Sequence, residues 1–368
     1  MHKVCHLTSV HPRYDTRIFL KECSSLAAAG YHVALVVADG CGDEVRHGVE
    51  IIDAGKASGR RIARMTRGVR AVYKRALEID AALYHFHDPE LIPAALMLKR
   101  RGKKVVYDVH EDVPRDILSK SYLKRWQRAF ISALFERFEN FAVRKFDHIM
   151  TATPFIRDRF LAINSRTTDV NNFPILSELA NTTDWQHKHQ ELCYIGGISK
   201  IRGIDEVVQA MGSVPSGILT LAGSFAPASL ETEVKKYAGW KRVNFVGYLD
   251  REGVRDVMAR SMAGVVTFLP AHNHIDSQPN KMFEYMSAGI PVIASNFPLW
   301  RSIIEKNHCG LCIDPLDPTA IANAMQYILS HPEEAERMGR NGREAVETKY
   351  NWSAEERKLM DIYAGLLS

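Results

Sequence analysis

An α/β protein built as two parallel-sheet domains is what three observations predict. Runs rich in Val, Ile, Leu and Tyr alternate with helix-period stretches from one end of the chain to the other, the pattern of a doubly wound parallel sheet. That alternation breaks once, at Asn171-Asn172-Phe173-Pro174, and restarts near Leu192. A length of 368 residues, 46% of them hydrophobic, is enough to fill two cores of ordinary size.

In the first half the apolar runs place strands near 3–9, 32–38, 49–52, 82–86, 103–107, 147–151 and 168–171, with helices between most of them. Residues 175–190 are polar and read as a linker. The second half places strands at 192–195 and near 217–222, 242–247, 263–269, 291–295 and 310–313. A last helix, roughly 352–366, begins beyond Asn351-Trp352-Ser353. The expected division is therefore 1–174, a linker at 175–190, 191–351, and a terminal helix within 352–368. No internal repeat or low-complexity tract interrupts it.

Ligands of open α/β sheets bind beyond the carboxyl ends of the strands. The rule selects residues 9–17, His87-Asp88, His110-Glu111, 196–203 and 276–284. The last of these is the most informative. Asp276 and Glu284 stand eight positions apart and bracket Pro279-Asn280-Lys281, the start of a helix that runs to Gly289 and a buried strand. With Asn280 as the helix cap, free N–H groups and the positive dipole end would favour a diphosphate, and Lys281 would add a full charge. Glu284, one turn on, could accept from ribose hydroxyls, and Asp276 could reach a sugar beyond the phosphates. Any capped amphipathic helix would read in the same way from these residues alone.

The segment Asp276–Glu284 resembles the acidic-x7-acidic motif of the retaining family 4 glycosyltransferases, whose GT-B fold sets two facing Rossmann-like domains together. The resemblance implies that Glu284 binds the ribose and that Asp276, standing where Glu is usual, contacts the transferred sugar. Tyr194-Ile195-Gly196-Gly197-Ile198-Ser199-Lys200-Ile201-Arg202-Gly203 is similar to the family's Gly-Arg-Leu … Lys-Gly turn, with Gly197 for its Arg and Arg202 for its Lys. One diphosphate cation is thus replaced by glycine, and Lys281 or Lys200 is expected to supply the charge. Residues 9–22 resemble the opening of a subgroup that builds bacterial surface polysaccharides. His85-Phe86-His87-Asp88-Pro89-Glu90 and Tyr107-Asp108-Val109-His110-Glu111-Asp112 are similar to the next two strand ends of the family. Five weak motifs in the family's order make a specific signal over most of the chain.

What the resemblance implies is a donor site of Gly196, Gly197, Arg202, Gln278, Asn280, Lys281, Met282, Phe283 and Glu284. His11, Tyr14, Asp15, Arg17, Asp88, His110 and Glu111 are the acceptor-side candidates. His87, Asp276, Arg202 and Lys281 are the candidates for the chemistry, with His87 beside the reacting sugar. The expected reaction is retaining transfer from a UDP- or GDP-sugar to a lipid-linked saccharide in bacterial polysaccharide biosynthesis, with the terminal helix crossing back to the first domain. A sugar-nucleotide epimerase or hydrolase of the same fold, or a catalytically silent assembly partner, are the competing classes. No Asp-x-Asp occurs in the sequence, so no metal or other cofactor is expected and fixed cations must hold the leaving diphosphate.

Composition bounds the setting. The net charge of +5 is small for this length and does not indicate a nucleic-acid surface. Between residues 117 and 146, however, Lys120, Lys124, Arg125, Arg128, Arg137, Arg144 and Lys145 interleave with Trp126, Phe130, Phe135, Phe138, Phe141 and Phe146. Such a basic, aromatic helix suits an anionic bilayer surface. Arg60, Arg61, Arg64, Arg67, Arg70, Lys74 and Arg75 form a second basic stretch. No signal peptide and no run of about 18 to 20 apolar residues is legible, so a cytoplasmic protein peripheral to the inner face of the membrane is expected. Cys5, Cys23, Cys41, Cys193, Cys309 and Cys312 show no secreted-framework spacing, and Cys309-Gly-Leu-Cys312 reads as a turn into a strand. His2, His6, His187, His189, His272 and His274 form no pair with a third ligand at suitable spacing.

Overall fold

The computed structural model describes residues 2–56, 61–120, 123–179, 185–271 and 274–368, with the side chains of 61–65, 177 and 179 left aside. Arg60 and His272 fall outside the described residues, as do positions 121–122 of the basic aromatic stretch. The chain forms two compact units, one of residues 1–172 with 352–368 and one of residues 173–351.

The first unit holds β1 (Lys3–Leu7), β2 (His32–Val37), β3 (Glu44–Arg46), β4 (Val49–Asp53), β5 (Leu83–Phe86), β6 (Lys104–Val109), β7 (His148–Thr151) and β8 (Thr167–Asp169). They order as β3-β4-β2-β1-β5-β6-β7-β8. The second holds β9 (Glu191–Ile195), β10 (Ile218–Ala222), β11 (Val243–Gly247), β12 (Ala263–Val266), β13 (Val292–Ser295) and β14 (Gly310–Ile313), ordered β11-β10-β9-β12-β13-β14. Helices cover both faces, so β1, β5, β9, β12 and β13 are almost wholly buried and read as continuous apolar runs.

Among the described residues every pairing is parallel except one that the sequence reading missed. β3 pairs antiparallel with β4, Arg46 facing Val49, across a two-residue turn in which His47 has φ 51 and Gly48 φ 75. Two successive positive φ values make the tight hairpin turn whose twist matches the strands. His-Gly lacks the Asn or Asp that usually announces it.

The division also falls earlier than the polar stretch suggested. Phe173 lies edge-on to Phe283 at 4.7 Å and Tyr350 at 5.4 Å, and Leu176 and Trp185 pack on the same core. Apolar burial therefore draws both ends of the expected 175–190 linker into the second unit. Residues 180–184 lie outside the described set. The terminal helix Trp352–Leu367 belongs to the first unit. Trp352 Nε1 donates to Ser25 Oγ at 2.9 Å, and Glu355 Oε2 accepts from the Asn171 N–H at 2.8 Å.

In each sheet the strand order reverses once, between β1 and β5 and between β9 and β12. The carboxyl ends of these strands, Thr8 and His87 in one unit and Gly196 and Thr267 in the other, are where the rule for open sheets places a ligand.

Candidate functional site

In the second unit the site begins with a glycine turn. Gly196 leaves β9 at φ +119, its N–H bonded to the Ala222 carbonyl at 2.7 Å. A Cβ there would sit 1.6 Å from Lys281 Nζ, and one on Gly197 would sit 2.4 Å from Arg202 Nη1. The absent side chains are therefore the space that two cations occupy. Arg202 Nη1 donates to the Gly197 carbonyl at 3.1 Å, and its guanidinium lies 5.5 Å from the Phe268 ring centre. Gly203, at φ +74, lies so near the Thr267 carbonyl that a Cβ would be 2.0 Å from its oxygen. The Leu269 N–H donates to the Ile201 carbonyl at 2.9 Å. The turn carrying Arg202 is thus clamped against the end of β12 at a point only glycine can take.

The helix Asn280–Ser287 buries Met282, Phe283, Tyr285 and Met286 against the sheet, which leaves Lys281 and Glu284 on its polar side. Asn280 does not cap it. Pro279, extended at φ −68 and ψ 124, is the capping residue, no side chain closes the first turn, and Asn280 is the exposed first helical residue. Of the two lysines, Lys281 places its amine over Gly196, whereas Lys200 turns outward to Glu233 at 2.5 Å. Burial pushes the Lys281 amine down to about 8; Glu284 opposes the shift while Arg202 and Arg251 reinforce it.

Glu284 Oε1 accepts from Arg251 Nη1 at 2.9 Å, and Arg251 Nη2 reaches Glu178 Oε2 at 2.8 Å. Arg251 was not legible as a site residue, since it precedes Glu284 by 33 positions on another helix. Burial raises Asp276, a partly buried loop carboxyl. Two buried acceptors, Gln278 Oε1 and Thr267 Oγ1, have no hydrogen-bond partner.

In the first unit the strand ends meet in a buried polar network. Asp15 caps the Thr16–Cys23 helix by accepting from the N–H groups of Arg17 and Ile18. The Leu20 N–H reaches back five residues to the Asp15 carbonyl at 3.1 Å, a π-type turn. Arg17 then forks onto Asp108 at 2.8 and 2.7 Å and donates to the Val170 carbonyl at 2.7 Å. Asp88 accepts from Thr8 Oγ1 at 2.9 Å and from the Ser9 N–H at 2.5 Å, fixing the loop that follows β1.

This network corrects two expectations. His87 does not lie open to a sugar, because its side chain is 0% exposed. Its Nδ1 meets Asp108 Oδ2 at 3.2 Å and its Nε2 meets His6 Nδ1 at 3.0 Å. Burial pushes it down to about 4 despite Asp108. Arg17, also buried, is consumed by Asp108, Glu22 and Val170. The accessible groups at this edge are His11, Asp15, His110, with 18% of its side chain exposed, and the exposed Glu111. Burial pulls His11 down, but Asp15, Asp88 and Asp108 together hold it above its ordinary value. Tyr14 is spent on the sheet edge, donating to Glu44 Oε1 at 2.7 Å beneath the Arg46 guanidinium.

The fold also assembles ligand-type residues that no sequence spacing had paired. His6, Glu22, His85 and His87 each bring one donor atom to within 4.8 Å of the others, as do His87, Asp108 and His110. The available signal was His85-x-His87 at the end of β5, with His85 beside His6 on β1. Cys309 and Cys312 are free thiols that burial pushes up to about 12, in keeping with a packing role.

The Lys281 geometry sets a pH dependence. Below about pH 8 the amine is an ammonium, and a bound diphosphate favours that form. Affinity for UDP, measured by calorimetry, should be level up to that pH and fall by up to tenfold per unit above it. Lys281→Arg should flatten the profile, whereas an unchanged wild-type slope in that variant would remove Lys281 from the site.

Residues 177–345 match the family model described as glycosyl transferases group 1, and residues 16–174 the one described as glycosyl transferase 4-like domain. A glycogen synthase of Mycobacterium tuberculosis is 22% identical over 255 residues, 65% of this chain and 59% of that protein's length. Sucrose-phosphate synthase from Thermosynechococcus elongatus superposes with a TM-score of 0.83 at 21% identity, over 100% of this chain and 99% of that one. The Anabaena protein HepE, crystallised in complex with UDP-glucose, gives 0.73 at 14% identity over 99% and 100%. With one family model on each Rossmann-like unit, the chain belongs to the family 4 glycosyltransferases of the GT-B fold.

Proposed function

We propose that the protein transfers a hexosyl group, with retention, from a UDP- or GDP-sugar to a lipid-linked saccharide at the inner face of a bacterial membrane. The observation that carries the donor half is the pair of cations folded over Gly196 and Gly197. Lys281 and Arg202 supply two positive charges within one small space, where the diphosphate gains negative charge as the glycosidic bond breaks. Glu284, its Oε1 held by Arg251, is the ribose ligand in this reading. The UDP-glucose held by HepE supports a nucleotide-sugar donor.

No metal on the diphosphate is required in this reading, because the two cations take that role. Retention is assigned to a front-face path in which a leaving-phosphate oxygen takes the acceptor proton, and Asp276 steadies the sugar. His110, rather than the buried His87, is the histidine proposed to contact substrate. Its Nε2 rests on Asp108 Oδ2 at 2.7 Å. The saccharide acceptor and the polysaccharide pathway rest on the resemblance of residues 9–22.

The membrane half rests on the helix Arg125–Val143. Trp126, Phe130, Leu134 and Phe141 are 67%, 64%, 59% and 54% exposed, and with Phe138 they form one stripe along it. Lys124, Arg125, Arg144 and Lys145 flank the stripe at its two ends. Arg128 is occupied, donating to the Leu123 and Leu118 carbonyls. No helix among the described residues is long and apolar enough to cross a membrane, so contact would be by this face.

Two measurements test these halves separately. Arg202→Ala should lower kcat on the order of 100-fold, as for loss of one oxyanion donor, and should weaken donor binding less, because the charge it meets is largest in the transition state. A kcat within twofold of wild type would remove Arg202 from the chemistry. Sedimentation with anionic vesicles should fail for Lys124→Glu/Arg125→Glu, each charge near the surface being worth about 1 kcal/mol. Trp126→Ala/Phe130→Ala should weaken it on vesicles of either charge. Wild-type protein that ignores anionic vesicles would end the membrane reading.

A further inference from the structure

The buried corner between β1, β5 and the Thr16–Cys23 helix contains four ligand-type side chains to which the function proposed above assigns no contact with substrate. His6 and His85 face each other in register on neighbouring strands, and His87 follows two residues on, just beyond the end of β5. Glu22 enters from the helix. All four are fully buried, with residue exposures of 0–2%. His6 Nδ1 and His87 Nε2 are 3.0 Å apart, and Glu22 Oε2 lies 3.8 and 3.9 Å from them. One donor atom from each of the four residues lies within 4.8 Å of the others. A four-coordinate ion with bonds of about 2.0–2.2 Å holds its ligand atoms roughly 3.4 Å apart, so a modest contraction around one centre would join them.

The surroundings match what metal-bound imidazoles need. Each ring nitrogen on the outer side has a partner able to take its proton: Asp108 Oδ2 for His87 Nδ1 at 3.2 Å, and Tyr363 Oη for both His6 Nε2 at 2.9 Å and His85 Nδ1 at 2.8 Å. Those contacts turn unprotonated nitrogens inward. Two inner atoms, His85 Nε2 and Glu22 Oε2, have no hydrogen-bond partner although both are buried, a costly arrangement unless something unaccounted for meets them.

We propose that His6 Nδ1, His85 Nε2, His87 Nε2 and Glu22 Oε2 form a closed site for a divalent metal of the zinc class. Three imidazoles and one carboxylate are the borderline N and O donors that zinc takes tetrahedrally. Four protein ligands leave no position for a substrate oxygen, so the ion is structural. It fastens β1, β5 and the Thr16–Cys23 helix to one another and, through Tyr363, to the terminal helix. A metal-free arrangement can be written with protons alone, passing from His85 through Tyr363, His6 and His87 to Asp108. It leaves His85 Nε2 with no donor, which is why the metal accounts for more of the geometry.

The test needs no activity measurement, so it stands or falls apart from the transferase reading. Protein purified without a histidine tag and dialysed against metal-free buffer should carry one zinc per chain by mass spectrometry of the metals. His85→Gln and Glu22→Gln should each lose it. Should either variant fail to fold, wild-type protein produced in cobalt-supplemented medium provides the second readout, the intense visible bands of four-coordinate cobalt. Wild-type protein with neither stoichiometric metal nor those bands would overturn the proposal. So would folded variants that both keep the metal.

Discussion

Two missing side chains organise the second unit. Gly196 and Gly197 have no Cβ, and the space left is filled by the Lys281 amine and the Arg202 guanidinium. The rest of the site follows from holding those cations there. Gly203 lets the turn carrying Arg202 press against the β12 end, and the buried face of the Asn280–Ser287 helix sets the height of Lys281. Like charges brought together and partly desolvated repel, and the depressed Lys281 amine records that cost. Gly197 leaves room for the Arg202 guanidinium, as Gly196 does for the Lys281 amine.

The first unit works by the opposite logic. Its charged and titratable groups are turned inward, with Arg17, Glu22, His6, His85, His87 and Asp108 all buried at the strand ends. Buried charges stabilise little by themselves but are costly to break singly, so this network enforces one arrangement of β1, β5, β6 and the terminal helix. Surface chemistry at that edge is left to a few groups, His11, Asp15, His110 and Glu111. A rigid polar interior beneath a sparse surface suits a site whose substrate is held by shape and a handful of hydrogen bonds.

Much of this architecture was legible. Continuous apolar runs marked every strand that is buried on both faces, and the loop Asp276–Glu284 and the turn Gly196–Gly203 were visible as departures from those runs. Short exposed β3 was not, because three residues carry no period and its turn uses His47-Gly48. The Asn280 cap failed because Pro279 already sets the backbone that a capping residue would. His87 looked exposed because a strand end usually is, yet the neighbours that bury it lie 81 residues away at His6 and 21 away at Asp108. Arg251 and Tyr363 likewise reach their partners only through the fold, at separations of 33 and 278 residues. Local pattern reports local structure; long-range pairing of polar side chains leaves no periodic trace.

The claim on which the account turns is that the space over Gly196 belongs to the Lys281 amine and, through it, to the donor diphosphate. Calorimetric titration of UDP into Gly196→Ala tests it most directly, with circular dichroism and thermal melting to establish that the variant is folded. The account predicts a folded protein whose UDP affinity falls at least tenfold, since the added methyl would stand 1.6 Å from where Nζ now lies and would displace a charge-assisted contact of about 1.5–3 kcal/mol. A folded Gly196→Ala protein that binds UDP as the wild type does would contradict it.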